Sequence, residues 1–469
     1  MSAPGDRLRL TVDRLAAGGE SLGRAPDGRL VFFRGGAPGD VVDVRVVTAE
    51  ARRLTAHLVE RVSPGPDHVA SFCADGERCG GCPWQNARPA AQHAALAAHV
   101  ERALTQAAGH PFVALPGWRP TDPFVAPPGR RPTDPFVAPP GRRPTDPFVL
   151  EPFVPASPSI GWRSTARLQI VDGAVGYFAP GSHTLVEPTV CAALSPVVST
   201  LLAHLRAVLV GQGNRAPKGR GVVRLTGAAA APEATGTVTL EPGEGADTSA
   251  WALLAAALLG GPCHGVRLRG SDRSPERTWG VAEDIFGPQA VPHPAGSFVQ
   301  AHQPGTARLV QTACDWLLSP PARPTRVLEL YAGSGNFTFA LGAAGGAQLA
   351  LTALEIDPAA AARLRAEGLR RGLTLTVQTG DAAHLPTGRW DAVLLDPPRA
   401  GARAVMPLLV RLRPRRIVYV ACDVATLARD VKTLVSAGAR VERIRVFDLF
   451  PHTGHVETVV RLAFDGPRR

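Results

Sequence analysis

Apolar and polar positions alternate at two different periods along this 469-residue chain, and the change of period marks its parts. Between Arg7 and about Val62 the apolar residues come in short alternating runs (Leu8, Leu10, Val12; Leu30 to Phe33; Val42, Val44, Val46), broken by Ala-Gly-Gly and Gly-Gly-Ala-Pro-Gly. A period of two with glycine-rich breaks predicts a small antiparallel barrel or sheet over residues 1–62. Globular patterning resumes near Ile160, with strand-like WRSTARLQIV and GAVGYFA and an amphipathic helix around Val197 to Val210. From Arg326 onward, strand-length apolar runs alternate with helical stretches: RVLELYAG, LTALEID, LTVQTGD, WDAVLLDPPRAG and RRIVYVACD. That alternation predicts an α/β unit, a parallel sheet with helices on both faces. Three units follow, at 1–62, 63–300 and 301–469, in keeping with roughly 150 residues per domain.

Within the middle unit, residues 118–152 repeat with a period of twelve: RPTDPFVAPPGR twice, then RPTDPFVLEP. Proline this frequent removes backbone donors and breaks helices, so the segment is expected to be an extended, polyproline-like insertion. The chain carries 51 Lys and Arg against 40 Asp and Glu, a net charge of +11, which favours a polyanionic partner, nucleic acid before membrane. Only Lys218 and Lys432 are lysines, so GC-rich coding explains the arginines as readily as phosphate binding does. The longest apolar stretch, near Trp251 to Leu259, is too short to span a bilayer. Seven cysteines, an odd number, are too few for a disulfide scaffold and suit a reducing cytoplasm.

Candidate chemistry concentrates at the ends of the C-terminal strands. The strand Val327–Leu330 runs into Tyr331-Ala-Gly-Ser-Gly-Asn336, where Gly333 and Gly335 permit a tight turn and close approach of a ligand to a helix N-terminus. Glu355 ends the next strand about 20 residues on, where an acid binds ribose hydroxyls. A dinucleotide site wants a third glycine, but Asn336, Phe337 and Thr338 follow; Asp381 and Asp396 then end the next two strands. Acids on successive strand ends favour S-adenosylmethionine over NAD. Cys422 reaches the same edge as Gly333, Glu355 and Asp396, and the last strand brings Pro451-His-Thr-Gly-His455-Val-Glu457 to it. Cys73, Cys79 and Cys82, spaced by five and two residues around Gly80-Gly81, point to an inorganic centre, zinc or iron-sulfur, that requires a fourth thiolate.

DPPRAGA (396–402), YVACDVATLARD (419–430) and FPHTGHVETVV (450–460), with YAGSGNF and SFVQAHQ (297–303), resemble the signatures of RNA 5-methyluridine methyltransferases. The N-terminal unit is similar to a TRAM domain, and the cysteine spacing to the iron-sulfur motif of the subfamily acting on 23S ribosomal RNA. The resemblance implies a Rossmann-like, S-adenosylmethionine-dependent methyltransferase domain, an OB-like (TRAM) barrel and a central α+β domain carrying a [4Fe-4S] cluster. It implies Cys191 as the fourth cluster ligand, with Cys263 and Cys314 as buried bystanders. For S-adenosylmethionine it implies contacts from Gln300, Tyr331, Asn336, Glu355 and Asp381, with Asp396 between cofactor and base. Uracil C5 is a weak nucleophile, so a thiolate must first add at C6; Cys422 is the cysteine placed to do so. The resemblance makes Glu457 the base that removes the C5 proton, and Asp396 the group that holds the uracil edge or steadies the enolate.

The expected substrate is a loop of 23S ribosomal RNA, since the uridine must be unstacked and flipped, with transfer RNA as the alternative, and the expected enzyme is a cytoplasmic monomer that binds no membrane. An amino-methyltransferase of adenine or guanine would follow Asp-Pro-Pro with an aromatic, and Arg399 stands there instead. A non-enzymatic RNA-binding protein would have no need of Cys422 and Glu457 together. Asp423 departs from the asparagine expected after the nucleophile, which bears on how Cys422 is positioned.

Overall fold

The computed structural model describes residues 2–109, 113–114, 149–227, 235–270, 275–320, 323–384 and 388–465. Most of the proline-rich repeat lies outside them.

Five strands close the N-terminal barrel: Arg7–Ala16, Glu20–Arg24, Leu30–Phe33, Val41–Ala49 and Arg53–Ser63. Its inward positions, Leu10, Val12, Val31, Phe33, Val42, Val44 and Leu54, are the apolar members of the alternating runs and are fully buried. Closure leaves no edge to pair with another chain.

A seven-stranded sheet forms the middle of the molecule, running from Leu185–Val186 through Thr165–Val171 and Arg220–Thr226 to Arg277–Gly280. Helices Pro196–Gln212 and Thr248–Leu258 pack on it through Leu201, Leu205, Trp251 and Leu254.

The third unit is built on a nine-stranded sheet. Five strands are parallel, in the order Leu375–Thr379, Ala350–Glu355, Arg326–Leu330, Ala392–Leu395 and Arg416–Ala421. The order reverses between Arg326–Leu330 and Ala392–Leu395, opening a crevice at their carboxyl ends. Strand Glu457–Phe464 then runs antiparallel to both Arg416–Ala421 and Ala439–Phe447, so the sheet is mixed rather than wholly parallel. That reversal delivers the start of the last strand to the edge where the parallel strands end.

Packing does not divide the chain at residue 300. Helix Pro89–Ala108 buries Leu96, Val100 and Leu104 in the same core as Leu427, Val431 and Leu434 of helix Val424–Ser436. The end of the expected insertion also belongs to this unit. Val149–Leu150 pairs with Arg443 and Ile444 as a strand of the C-terminal sheet, and the buried Glu151 carboxylate is ion-paired with Arg443 and Arg445. The extended segment predicted over 118–152 therefore ends as ordered sheet, because two buried apolar residues and a paired acid follow its last proline-phenylalanine.

Candidate active site and cysteine site

Strand register gathers the candidate residues before any side chain is considered. Leu330 pairs with Leu354 and Leu395, Leu395 with Tyr419, and Ala421 with Thr458. The next residue on each strand is Tyr331, Glu355, Asp396 or Cys422, with Glu457 preceding Thr458 on the antiparallel strand. All five stand on one edge.

The glycine loop between Leu330 and helix Asn336–Gly345 is wound through left-handed backbone at Tyr331 (φ 62°), Gly333 (φ 56°) and Gly335 (φ 95°). A Cβ on Gly335 would lie 2.4 Å from the Phe339 ring and 2.5 Å from Leu364, so the helix sits close against the turn. A Cβ on Gly333 would meet nothing within 4 Å, which leaves the loop open for a ligand. Glu355, buried, ties the loop down: its Oε2 accepts from the Gly333 N–H at 2.7 Å and its Oε1 from the Asp357 N–H at 2.8 Å. Burial, and next the charge of the exposed Asp381, raises the Tyr331 hydroxyl to about 12. Beneath the loop the buried Glu329 accepts from Thr338 Oγ1, and burial raises its carboxyl to about 8.

The second group is denser in acids. Burial alone lifts Asp396 to about 7. Glu457 is 1% exposed; burial and then the charge of Asp396 raise it well above the usual range, while Gln300 hydrogen-bonds it and Arg399 faces it, both favouring the charged form. Its Oε2 is buried and has no hydrogen-bond partner among the described residues. Burial, then Glu457 and Asp396, push the Cys422 thiol up to about 11, with Arg399 opposing them. Three acids packed this closely cannot all ionise at neutral pH.

Helix Val424–Ser436 fixes the loop that carries Asp396 and Arg399. Asp423 caps it by accepting from the Thr426 N–H at 2.8 Å. Aspartate and asparagine serve equally at such a cap, so the departure noted in the sequence does not disturb how the helix starts behind Cys422. Thr426 Oγ1 donates to the Arg399 carbonyl at 3.1 Å and Arg429 to the Ala400 carbonyl at 3.0 Å. The buried Asp430 accepts the Ala402 N–H at 2.7 Å. Asp430 was the residue to notice: on a helix buried through Val424, Leu427, Val431 and Leu434, a carboxylate falls on the apolar stripe and must have partners.

The loop before Glu457 is anchored from two sides. His452 (φ 66°) donates its N–H to Gln92 Oε1 at 3.1 Å and accepts the Trp84 N–H at 3.0 Å. Gly454 lies against the barrel hairpin, where a Cβ would come within 2.4 Å of the Gly19 nitrogen. The exposed His455 ring packs edge-on to Phe450 at 5.9 Å.

Cys73, Cys79, Cys82 and Cys191 are all free of disulfides. Cys79 and Cys82 each feel the charge of Cys73 and Cys191, so the two segments converge; burial raises Cys82 to about 12, and Arg163 works against that. Trp162 packs with Cys82, Cys191 and Phe450, joining this site to the loop before Glu457. Among the described residues no group of three or more His, Cys, Asp or Glu is closed to metal-ligating distance. Cys263 and Cys314 are buried elsewhere.

Residues 291–464 match the family described as tRNA (Uracil-5-)-methyltransferase, and residues 2–59 match the TRAM domain. The chain is 32% identical to the 23S rRNA (uracil(1939)-C(5))-methyltransferase RlmD of Chromohalobacter salexigens, over 98% of this chain and 90% of that protein. It is 29% identical to the protein of the same name from Aeromonas hydrophila, over 97% and 95%. A solved structure, Pyrococcus abyssi tRNA (uracil-54, C5)-methyltransferase in complex with S-adenosyl-L-homocysteine, superposes with a TM-score of 0.69 at 19% identity, covering 97% of this chain and 99% of that one. At that identity the likeness is one of fold.

Proposed function

The chain belongs to the RNA uracil-C5 methyltransferases, and from that premise we propose that it methylates C5 of a uridine in 23S ribosomal RNA through a covalent bond from Cys422. The observation that carries the proposal is the meeting of Cys422 and Glu457 at the ends of paired antiparallel strands, with Asp396 on the next strand.

Residues of two kinds hold the methyl donor. The open backbone at Gly333, the turn at Gly335, and Tyr331, Asn336, Glu355 and Asp381 form the cradle, with Gln300 and Asp396 at its boundary with the uridine pocket. S-adenosylmethionine bound there supplies an electrophilic methyl on a sulfonium. Cys422 gives its thiol proton to water and adds its sulfur to C6, and the electron pair of the C5–C6 double bond moves to O4 as an enolate. Asp396, protonated near neutrality, donates a hydrogen bond to the uracil edge where that charge develops. After C5 has taken the methyl group, the free Oε2 of Glu457 removes the C5 proton. The C5–C6 double bond re-forms as the C6–S bond breaks, returning the thiolate. A base raised above the ordinary carboxylate range is suited to this proton transfer near neutral pH.

The four cysteines support a [4Fe-4S] cluster as a structural centre. Thiolates are the donor set that iron-sulfur clusters use, and the two cysteine-bearing segments converge without forming a disulfide. Cys73, Cys79, Cys82 and Cys191 would hold it, and a cluster there would brace Trp162, which packs on Cys82, Cys191 and Phe450. No helix among the described residues is long and apolar enough to cross a membrane. We take the working unit to be a cytoplasmic monomer, the barrel and middle sheet holding RNA and residues 301–469 carrying the chemistry.

Mass mapping of 5-methyluridine in RNA from cells lacking this protein tests the assignment. Loss of one 23S position supports it; loss from transfer RNA instead would move the substrate to the alternative.

A further inference from the structure

Three side chains around the four cysteines carry buried polar hydrogens without an acceptor. Trp162 Nε1, Arg163 Nε and the Tyr177 hydroxyl are buried atoms with no hydrogen-bond partner among the described residues. An indole N–H and a guanidinium N–H can only donate, so what satisfies them must be an acceptor. Donors left unpaired inside a protein are costly and call for an explanation.

Different parts of the chain bring the three residues to the cysteines. Trp162 packs on Cys82 and Cys191. Arg163 follows it on a segment tied by its backbone to the residues just after Cys191. The Arg163 N–H donates to the Ala193 carbonyl at 2.8 Å, and the Ser195 N–H donates to the Arg163 carbonyl at 3.0 Å. The Arg163 guanidinium lies over the Trp162 ring, 5.6 Å from its centre, and its charge acts on both Cys79 and Cys82. Tyr177 comes from strand Ala174–Phe178, where it pairs with Val186, and it packs with Cys191 against the core of the middle sheet. Burial pushes its hydroxyl up, and the charges of Arg163, Cys191, Cys79 and Cys82 act on it next.

Electrostatics identifies the acceptor. Free thiols accept hydrogen bonds weakly, and none of the three donors bonds to one. Thiolates and the sulfides of an iron-sulfur centre are anionic, and a centre held by four thiolates is a buried negative charge. Such a charge requires a cation and hydrogen-bond donors beside it. Arg163 is that cation, and Trp162 and Tyr177 add two neutral donors.

We propose that Arg163, Tyr177 and Trp162 donate hydrogen bonds to the sulfur atoms of an iron-sulfur centre on Cys73, Cys79, Cys82 and Cys191, and that Arg163 sets its reduction potential. The proposal rests on the cluster reading of the cysteine site. Hydrogen bonds and positive charge favour the more negative, reduced centre, so removing them lowers the potential.

The test uses full-length protein purified anaerobically, with iron and sulfide measured first and the brown chromophore then titrated with a reductant at known potentials. Tyr177→Phe removes one hydroxyl and keeps the ring. Arg163→Met removes the cation, and Arg163→Lys restores the charge without the guanidinium. At wild-type iron content, Arg163→Met should lower the ratio of reduced to oxidised centre about tenfold at a fixed potential, which is about 59 mV for one electron. Tyr177→Phe should lower it about threefold, and Arg163→Lys should recover part of the loss. If Arg163→Met loses its iron, Tyr177→Phe decides, because its shape is unchanged. A wild-type midpoint in either iron-replete variant would overturn the proposal and leave the cluster standing. Wild-type protein holding zinc and no iron would overturn the cluster reading itself, and the proposal with it.

Discussion

The Tyr419 hydroxyl donates to Asp430 Oδ2 at 2.8 Å, the same oxygen that receives the Ala402 N–H. One buried carboxylate thereby holds the strand that leads to Cys422, two residues before its end, to the loop that presents Asp396 and Arg399. The arrangement is fully buried: Tyr419 is 0% and Asp430 1% exposed.

Removing that carboxylate should loosen the loop without touching the donor cradle. Asp430→Ala leaves two buried donors unpaired and is expected to cost about 2–4 kcal/mol in urea unfolding. Tyr419→Phe should cost about 1 kcal/mol. In both variants kcat falls while the dissociation constant for S-adenosylmethionine, measured by calorimetry, stays within twofold. A parallel loss of donor affinity would place Asp430 in the cradle instead.

Gly335→Ala should damage the cradle itself. The residue sits at φ 95°, and the new methyl would stand 2.4 Å from Phe339, so strain and collision act together. A loss of about 1–3 kcal/mol in stability and at least tenfold in donor affinity is expected from thermal melting and calorimetry. Gly333→Ala, with open space around it, should lose donor affinity with a smaller change in melting midpoint.

Much of this was visible in the sequence. The alternation in residues 7–62 and the strand-helix alternation after Arg326 announced both the barrel and the α/β unit, because the apolar period changes between the two stretches. The gathering of the candidate residues on one edge followed from the motifs, since strand ends in such a sheet share one side. The antiparallel insertion of Glu457–Phe464 did not follow, because an apolar run carries no sign of direction. Helix Pro89–Ala108 was also missed as part of the core of the C-terminal unit. Its partner, helix Val424–Ser436, lies more than 300 residues away, and nothing local records that contact. The left-handed backbone at Tyr331 and His452 was hidden for a related reason: neither residue advertises it as glycine does.

Stability of the donor-free protein should fall as pH rises above about 7. Asp396 is raised from 3.8 to about 7 and Glu329 from 4.5 to about 8, both by burial. Raised folded-state values mean that the native state holds these protons more tightly than the unfolded chain. Their contribution is complete below about pH 4 and is lost progressively up to about pH 8. Depressed acids such as Asp43, held at about 2 by hydrogen bonds from Arg9, act in the opposite sense only below about pH 4. Buried histidines lowered by desolvation, His293, His302 and His452 among them, act in the opposite sense up to about pH 6.5, so melting midpoints should decline between about pH 7 and 8, and Asp396→Asn should flatten the decline. A curve that rises across that interval would contradict the buried-acid account.

Anaerobically purified protein is expected to be brown and to contain iron and sulfide in equal amounts. Cys82→Ser or Cys191→Ser should remove the colour and lower the melting midpoint, while Cys263→Ser, buried outside the site, should leave the colour in place. Zinc alone in elemental analysis would replace the cluster by a tetrahedral zinc centre on the same donors.

The most direct test of the central claim asks whether Cys422 and Glu457 act in sequence on one uridine. Glu457→Gln is incubated with labelled S-adenosylmethionine and an RNA fragment, then resolved on a denaturing gel. Addition and methyl transfer proceed but the C5 proton stays, so a labelled protein–RNA adduct should accumulate, map by mass spectrometry to Cys422, and vanish in the Cys422→Ala, Glu457→Gln double variant. Free 5-methyluridine at the wild-type rate with no adduct, or an adduct that survives loss of Cys422, would contradict it.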